Sequence, residues 1–396
     1  MLGFLVYTLG YVISAPGKFN FIICQLFQII GFVILLFGCI PLIKSKIDNS
    51  YLKIIYPIYF IWLLSVIFRG FQFDYISIKN SFINPNGVLL YFTPLIILLP
   101  QKLTFYKRIF DVIIIMGISF LVCDVIFIKG LLDRYNELTR DYIETFTILS
   151  VPCGFILLTY PYHTNKRKLI AGGIVVLSLL LAIYRARRGL SFICFSILMF
   201  SYYIYLINTK KKVLLIYLSI LTVVIGVLYI SDTYKVNKNG LFGFIVQRGE
   251  TDTRTGVELY FYNDMKTKDW IIGRGINGEY FCPGIDFNQQ TDYRALIETG
   301  YLQIILKGGI VSLALYLLIS IPAIFLGFFH SKNILSKASA IWIFIAVMSL
   351  YPTTVDSFSL QYLVVWISIG ICYSKKMRNL PDNIIKEIIN NPSSLV

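Results

Sequence analysis

Residues 231–309 read "SDTYKVNKNGLFGFIVQRGETDTRTGVELYFYNDMKTKDWIIGRGINGEYFCPGIDFNQQTDYRALIETGYLQIILKGG". This is the one long polar stretch in the chain. It carries Arg248, Arg254, Arg274 and Arg294 among Glu250, Asp252, Glu258, Asp292 and Glu298. On both sides lie apolar runs of the length that crosses a bilayer, roughly 20 residues as a helix. A membrane protein that keeps one long polar loop usually does its chemistry or recognition there.

Composition agrees. Hydrophobic residues make up 57% of the chain and charged residues 14%, with a mean hydropathy of +0.73. A soluble domain carries about a quarter charged residues, so the chain is expected to be an all-α polytopic membrane protein. The net charge of +15 is no nucleic-acid footprint, because basic residues of membrane proteins gather in cytoplasmic loops. Six of the seven cysteines sit in apolar segments and only Cys282 lies in the long loop, with no CxxC or Cys/His cluster for zinc or iron–sulfur chemistry. His163 and His330 fall in short basic loops, which argues against a histidine-based nucleophilic triad in the loop.

Hydropathy predicts about twelve spans, near 1–15, 20–43, 53–69, 87–100, 109–131, 143–161, 169–184, 189–207, 213–230, 309–329, 338–352 and 359–374. Segment 1–15 lacks an early basic region and an A-x-A cleavage site, so it reads as a first span rather than a signal peptide. Segment 87–100 follows "NPNG" and contains Pro94; spanning and re-entrant paths are both open. Lysine and arginine cluster in alternate loops: Lys44, Lys46 and Lys53; Lys102, Lys107 and Arg108; Lys166, Arg167 and Lys168; Lys210, Lys211 and Lys212; Lys332 and Lys337; then the tail. That alternation predicts cytoplasmic N- and C-termini and an external long loop. The units are a membrane domain over 1–230, the loop over 231–308, further membrane helices over 309–374 and a cytoplasmic tail over 375–396, whose run "NIIKEII" reads as a frayed helix. Asp111 and Asp124 are the clearest acidic residues inside spans.

One short outer connection breaks the charge rule. "YRARRGLS" puts Arg185, Arg187 and Arg188 at the outer boundary. They can snorkel to headgroups or pair with loop carboxylates. They can also grip a phosphate-bearing lipid, since the guanidinium stays charged and its planar fork binds phosphate oxygens bidentately. A shorter outer loop over 130–142 reads as a solvated surface.

Within the long loop, Val257, Tyr260 and Phe261 share a face at helical spacing. The G-x-G of Gly273 and Gly275 is a weak phosphate signal without a preceding strand and reads as a tight turn. "YRALIETGYLQIILKGG" reads as a short helix ended by Gly308 and Gly309, on which Arg294 and Glu298 are four apart and share a face; a surface salt bridge is as good a reading as catalysis. Trp270, Tyr280 and Tyr301 are rings able to stack on sugars, or to anchor the loop at the interface.

The stretches "RARRGLS", "WIIGRGINGEYF" and "ETGYLQIILKGGIVSLALYLLI", in that order on one membrane face, resemble the bacterial O-antigen polymerase and O-antigen ligase superfamily. The resemblance implies a glycosyltransferase fold of the GT-C class B type in the bacterial inner membrane, with its site facing the periplasm. It also implies an inverting transfer of glycan from undecaprenyl diphosphate to a lipid-linked repeat unit. Membrane lipids and a chain-length regulator protein are its implied partners. The family pattern often has His-Asn before "YLQ"; here Glu298 and Thr299 stand there, which favours a polymerase over a ligase.

Such a transfer needs cations at the leaving diphosphate. Arg185, Arg188 and Arg254 lead the candidates, with Arg187, Arg248, Arg274 and Arg294 in the same set. It also needs a carboxylate base for the acceptor hydroxyl: Glu298, Asp252 or Glu250. Glu250 and Asp252 can alternatively hold a divalent cation, but two carboxylates in one loop are thin grounds, and no metal or cofactor is expected. A lipid-linked oligosaccharide flippase or other transporter is the competing class; such folds commonly show repeats and interrupted helices.

Overall fold

Helices in this chain start where a short polar side chain meets an apolar run. Asn20, Asn49, Asp74, Thr164, Asn333, Ser359 and Ser374 each accept a hydrogen bond from a backbone N–H two or three residues on. Each such cap stabilises its helix by ~1 kcal/mol. The computed structural model describes residues 1–40, 47–71, 73–99, 102–133, 139, 142–209, 254–284, 291–354 and 357–390.

The first part of the chain forms α1 (Leu2–Ser14), α2 (Phe21–Cys39), α3 (Ser50–Gly70), α4 (Tyr75–Ile83), α5 (Val88–Phe92) with a 3-10 turn over Thr93–Leu98, and α6 (Leu103–Ile126). Next come α7 (Ile128–Leu132), α8 (Tyr142–Ser150), α9 (Cys153–Leu158), α10 (Asn165–Tyr184) and α11 (Arg188–Ile207). The long loop contributes α12 (Arg254–Asp264), α13 (Thr267–Ile272) and a two-residue antiparallel pair, β1 (Tyr280–Phe281) with β2 (Tyr293–Arg294). The chain then forms α14 (Gly300–Phe329), α15 (Ile334–Ser349), α16 (Leu360–Tyr373), α17 (Lys375–Asn379) and α18 (Asp382–Asn390). Among the described residues the only strands are β1 and β2.

Among the described residues, six helices are long and apolar enough to cross a membrane: α2, α3, α6, α10, α11 and α14. The chain is thus an all-α protein with the helices of a multi-pass membrane protein. A seventh candidate is the pair α4–α5, bent by 58° at its break, which is where the sequence left segment 87–100 open. Shorter apolar helices, Leu2–Ser14, Tyr142–Leu158, Ile334–Ser349 and Leu360–Tyr373, fall on the segments expected at 1–15, 143–161, 338–352 and 359–374; segment 213–230 lies outside the described residues.

α16 is short because it needs no lipid-facing length. Every residue from Leu360 to Tyr373 except Gln361 is buried, and a helix apolar all round belongs inside a bundle. Its Trp366 stacks on Tyr59 of α3. At the opposite extreme α2 exposes Phe21, Leu26, Ile30 and Phe37, as a lipid-facing helix does. It holds α1 by close backbone approach: a Cβ on Gly3 or Gly31 would meet the other helix's backbone inside 3.0 Å, the small-residue packing that membrane helices favour.

The tail corrects the frayed-helix expectation. Ile385 and Ile389, four apart on α18, are buried. Asp382 accepts hydrogen bonds from the Tyr162 hydroxyl and from the Ile334 N–H (2.9 Å). Asn333 Nδ2 donates to Met377 O and Leu380 O, both at 2.8 Å. The tail is therefore docked across the end of α15. Beside it, burial and the Arg167 and Lys168 charges push the His163 imidazole down to about 3, so this ring is neutral and structural.

Candidate functional site

The long loop has a core of its own. Phe261, Met265, Tyr280, Cys282 and Ile297 pack with Leu302, Ile305 and Leu306 of α14. Tyr280 is 0% exposed, which removes it from the sugar-stacking set: its ring meets Phe261 edge-on, and burial pushes its phenol well above the ordinary range. Trp270 stacks on Tyr262 and Tyr301 packs against the same core. Arg274 is likewise committed to the loop. It binds the carboxylates of Asp264 and Asp269 and the carbonyls of Asp264 and Glu279.

The strand pair changes the reading of residues 293–299. Arg294 lies on β2 opposite Tyr280, and helix begins only at Gly300. Arg294 and Glu298 therefore share no helical face, because ladder bonds to 280–281 outweigh local helical spacing. Gln303 fixes this turn, accepting from Ile297 N (2.9 Å) and donating to Ala295 O (3.2 Å).

The glycine-rich stretch is a strap. Arg274 N donates to Leu306 O (2.8 Å), Gly275 N to Lys307 O (2.9 Å) and Ile276 N to Val66 O (3.0 Å). Arg69 donates to the carbonyls of Ile272 and Gly273, with its guanidinium 5.2 Å from the Trp62 ring. The G-x-G thus serves backbone packing against α3 and α14.

The three arginines of "RARRG" diverge. Ala186 has φ +51, the left-handed conformation, and closes α10 through Arg187 N→Ala182 O (2.8 Å) and Ala186 N→Ile183 O (3.0 Å). This is a Schellman ending with alanine where glycine is usual. The turn sends Arg185 inward to the Asp133 carbonyl and Arg187 to Glu144 (2.7 Å), while Arg188 is exposed at the start of α11. Ala186→Gly relieves about 1–2 kcal/mol of left-handed strain and adds about 0.4–1 kcal/mol of unfolded-state entropy. We expect a net gain near 0.5 kcal/mol, read as a higher thermal midpoint of the solubilised protein; a lower midpoint contradicts it.

What does converge is a turn that no motif flagged, Leu350–Thr354 between α15 and α16. Gly189, next to Arg188, packs so closely that a Cβ would lie 2.6 Å from Pro352 O. Arg254 Nη2 donates to that carbonyl (2.8 Å), and its Nε lies 3.4 Å from Glu298 Oε2. Gly300 N donates to Thr353 O (2.8 Å) and Tyr301 N to Leu350 O (3.2 Å). Thr299 donates its hydroxyl to Glu258, which brings a second carboxylate alongside. The segments carrying Arg188, Arg254 and Glu298, 110 residues apart at the extremes (298 − 188), therefore meet on one turn. Glu298 is 62% exposed, so its carboxylate is open to an incoming molecule. Arg248, Glu250 and Asp252 lie outside the described residues.

Beside this cluster, across the same turn, is a cavity of about 570 Å³ between the strap, the broken pair α4–α5 and α14. None of the described candidates for catalysis, diphosphate binding or sugar stacking lines it; Lys307, Glu279 and a set of asparagines do. No protein-family model, curated protein or solved structure matches this chain.

Proposed function

We propose that the chain is a membrane glycosyltransferase that polymerises lipid-linked oligosaccharide repeat units, acting on the outer side of the bacterial inner membrane. The observation that carries this reading is the meeting of the Arg188 segment, Arg254 and Glu298 on the Leu350–Thr354 turn. In the proposed reaction Glu298 takes the proton of an acceptor sugar hydroxyl. The hydroxyl oxygen attacks the anomeric carbon of the donor from the face opposite its diphosphate. The bond from that carbon to the diphosphate oxygen breaks, and undecaprenyl diphosphate leaves with the electron pair. Arg254 and Arg188 stabilise the charge that develops on it, the largest single lever available to such a site. Twelve spans with both termini in the cytoplasm would place the loop outside; among the described residues, each segment expected from hydropathy overlaps an apolar helix, six of them long enough to span.

The test is polymer formation by purified protein given lipid-diphosphate repeat units, with and without chelator, for wild type and Arg188→Ala. A ladder that survives chelator and disappears in the variant is the expected result. The broken pair α4–α5 favours a second reading, transport, because interrupted helices beside a cavity are a transporter feature. No ladder, with labelled lipid instead crossing a vesicle membrane, would establish that reading.

A further inference from the structure

We infer that the cavity under the strap is a binding site for an uncharged sugar segment, separate from the cation–carboxylate cluster. It rests on the glycosyltransferase reading only for what carries the sugar. The chemistry of the walls argues for the ligand. Among the described residues, Lys307 and Glu279 are the only charged side chains lining it, one of each sign. A diphosphate needs an excess of cations, and here there is none. The Lys307 ammonium is moreover held by the Gly278 carbonyl at 2.8 Å.

The remaining polar lining is amide and hydroxyl. Asn80, Asn84, Asn86 and Asn277 line it; a side-chain amide has two N–H donors and a carbonyl oxygen with two acceptor sites, which suits hydroxyls that donate and accept at once. Half-buried Tyr91 offers an apolar ring face for the C–H side of a sugar with a polar tip for its rim, and the buried Tyr59, Tyr316 and Tyr362 complete the walls. The volume, about 570 Å³, falls within the range of about 300–1,000 Å³ typical of small-molecule sites.

The walls are also fixed in advance, which lowers the ordering cost of binding. Asn277 Nδ2 donates to Gly70 O (2.8 Å), and Ile276 N to Val66 O (3.0 Å), so the strap cannot swing. On the other side the α4–α5 break is held by Phe358 N→Pro85 O (2.8 Å) and Asn86 N→Asn84 Oδ1 (2.9 Å). The break lines the cavity with its polar residues Asn84 and Asn86. The Leu350–Thr354 turn borders both the cavity, through Leu350 and Thr354, and the Arg254–Glu298 cluster, through Pro352. A sugar held in the cavity therefore lies one turn away from the groups that would act on a diphosphate.

The experiment is direct binding. Protein in nanodiscs is applied to a printed array of bacterial oligosaccharides without lipid or phosphate, beside phosphorylated counterparts. Wild type is expected to bind neutral glycans, and Asn80→Trp, which fills the mouth from an exposed position, to lose at least tenfold. Asn80→Ala removes one amide without blocking and should lose about three- to tenfold. Gly173→Ala, whose Cβ would meet nothing within 4 Å, should bind the array as wild type does. Binding to no glycan, binding only to phosphorylated ones, or binding untouched by Asn80→Trp overturns the inference. Ladder formation is scored separately: glycan binding without polymerisation defeats the glycosyltransferase reading and leaves this site standing, whereas an unchanged ladder and unchanged array binding in Asn80→Trp does the reverse.

Discussion

Gly309→Ala should yield no folded protein, visible as loss of the monodisperse peak when the detergent-solubilised variant is passed over a sizing column. Gly309 breaks α14 with φ 72 and ψ 179, a region essentially closed to residues with a Cβ, where occupancy alone costs about 1–3 kcal/mol. Space closes it a second time. A Cβ there would lie inside 3.0 Å of the Ile271 carbonyl carbon and oxygen, and one on Gly273 (φ 72) would lie 2.5 Å from Gly308 N. These are backbone atoms with no rotamer to change, so the strap itself would have to lift. That would break the three bonds from Arg274, Gly275 and Ile276 to Leu306, Lys307 and Val66. Strain, overpacking and orphaned amides together exceed about 5 kcal/mol, the low end of a whole domain's stability. Gly173→Ala is the matched control, because its Cβ would meet nothing within 4 Å and alanine favours helix by about 1 kcal/mol. A Gly309→Ala protein as stable as this control would mean that the strap carries no structural load.

The bundle was legible because its signals are local. Apolar length marks a span and a capping asparagine or serine marks a helix start, and both depend on a handful of neighbouring residues. The site was legible only in part. Arg254 and Glu298 were singled out as separate candidates, but their meeting depends on Pro352, whose carbonyl has no sequence signature. Arg294 was misplaced on a helix because two residues of strand, 280–281, reached it from across the loop; a pairing so short leaves no period to detect. The divergence of Arg185, Arg187 and Arg188 turns on Ala186 adopting a conformation that alanine rarely takes. The cavity was invisible for a different reason. Its asparagines come from α4, the break after it and the strap, nearly 200 residues apart (277 − 80 = 197), and none carries a motif of its own. The tail's docking was hinted at by the isoleucines of "NIIKEII", and its partners, Tyr162 and Asn333, are again distant in the chain.

On the proposed polymerase reading, Arg254→Ala should lower the rate of polymer formation by about 10²–10³-fold, the loss seen when one preorganised stabiliser of developing charge is removed. The competing explanation is that Arg254 merely ties α12 to the Leu350–Thr354 turn through Pro352 O. Magnitudes separate the two. Its ion partner Glu298 is 62% exposed, and an exposed pair contributes at most about 1 kcal/mol to folding; the hydrogen bond to a carbonyl adds about 1 kcal/mol more. A structural role therefore predicts a modest fall in thermal midpoint and activity that recovers on cooling. A catalytic role predicts a rate loss that persists at temperatures where the variant is fully folded. Arg254→Lys sharpens the contrast: it keeps the charge but lacks the planar fork, so it should restore stability more than rate. Glu298→Gln, isosteric and unable to take a proton, should cost about 10²–10⁴-fold in rate with little change in midpoint. If the two residues act in one step, the double variant should be barely slower than the worse single one, since members of a catalytic unit are strongly non-additive. Fully additive losses would place Arg254 and Glu298 in separate roles and make Glu258, which Thr299 holds beside them, the next carboxylate to test as base.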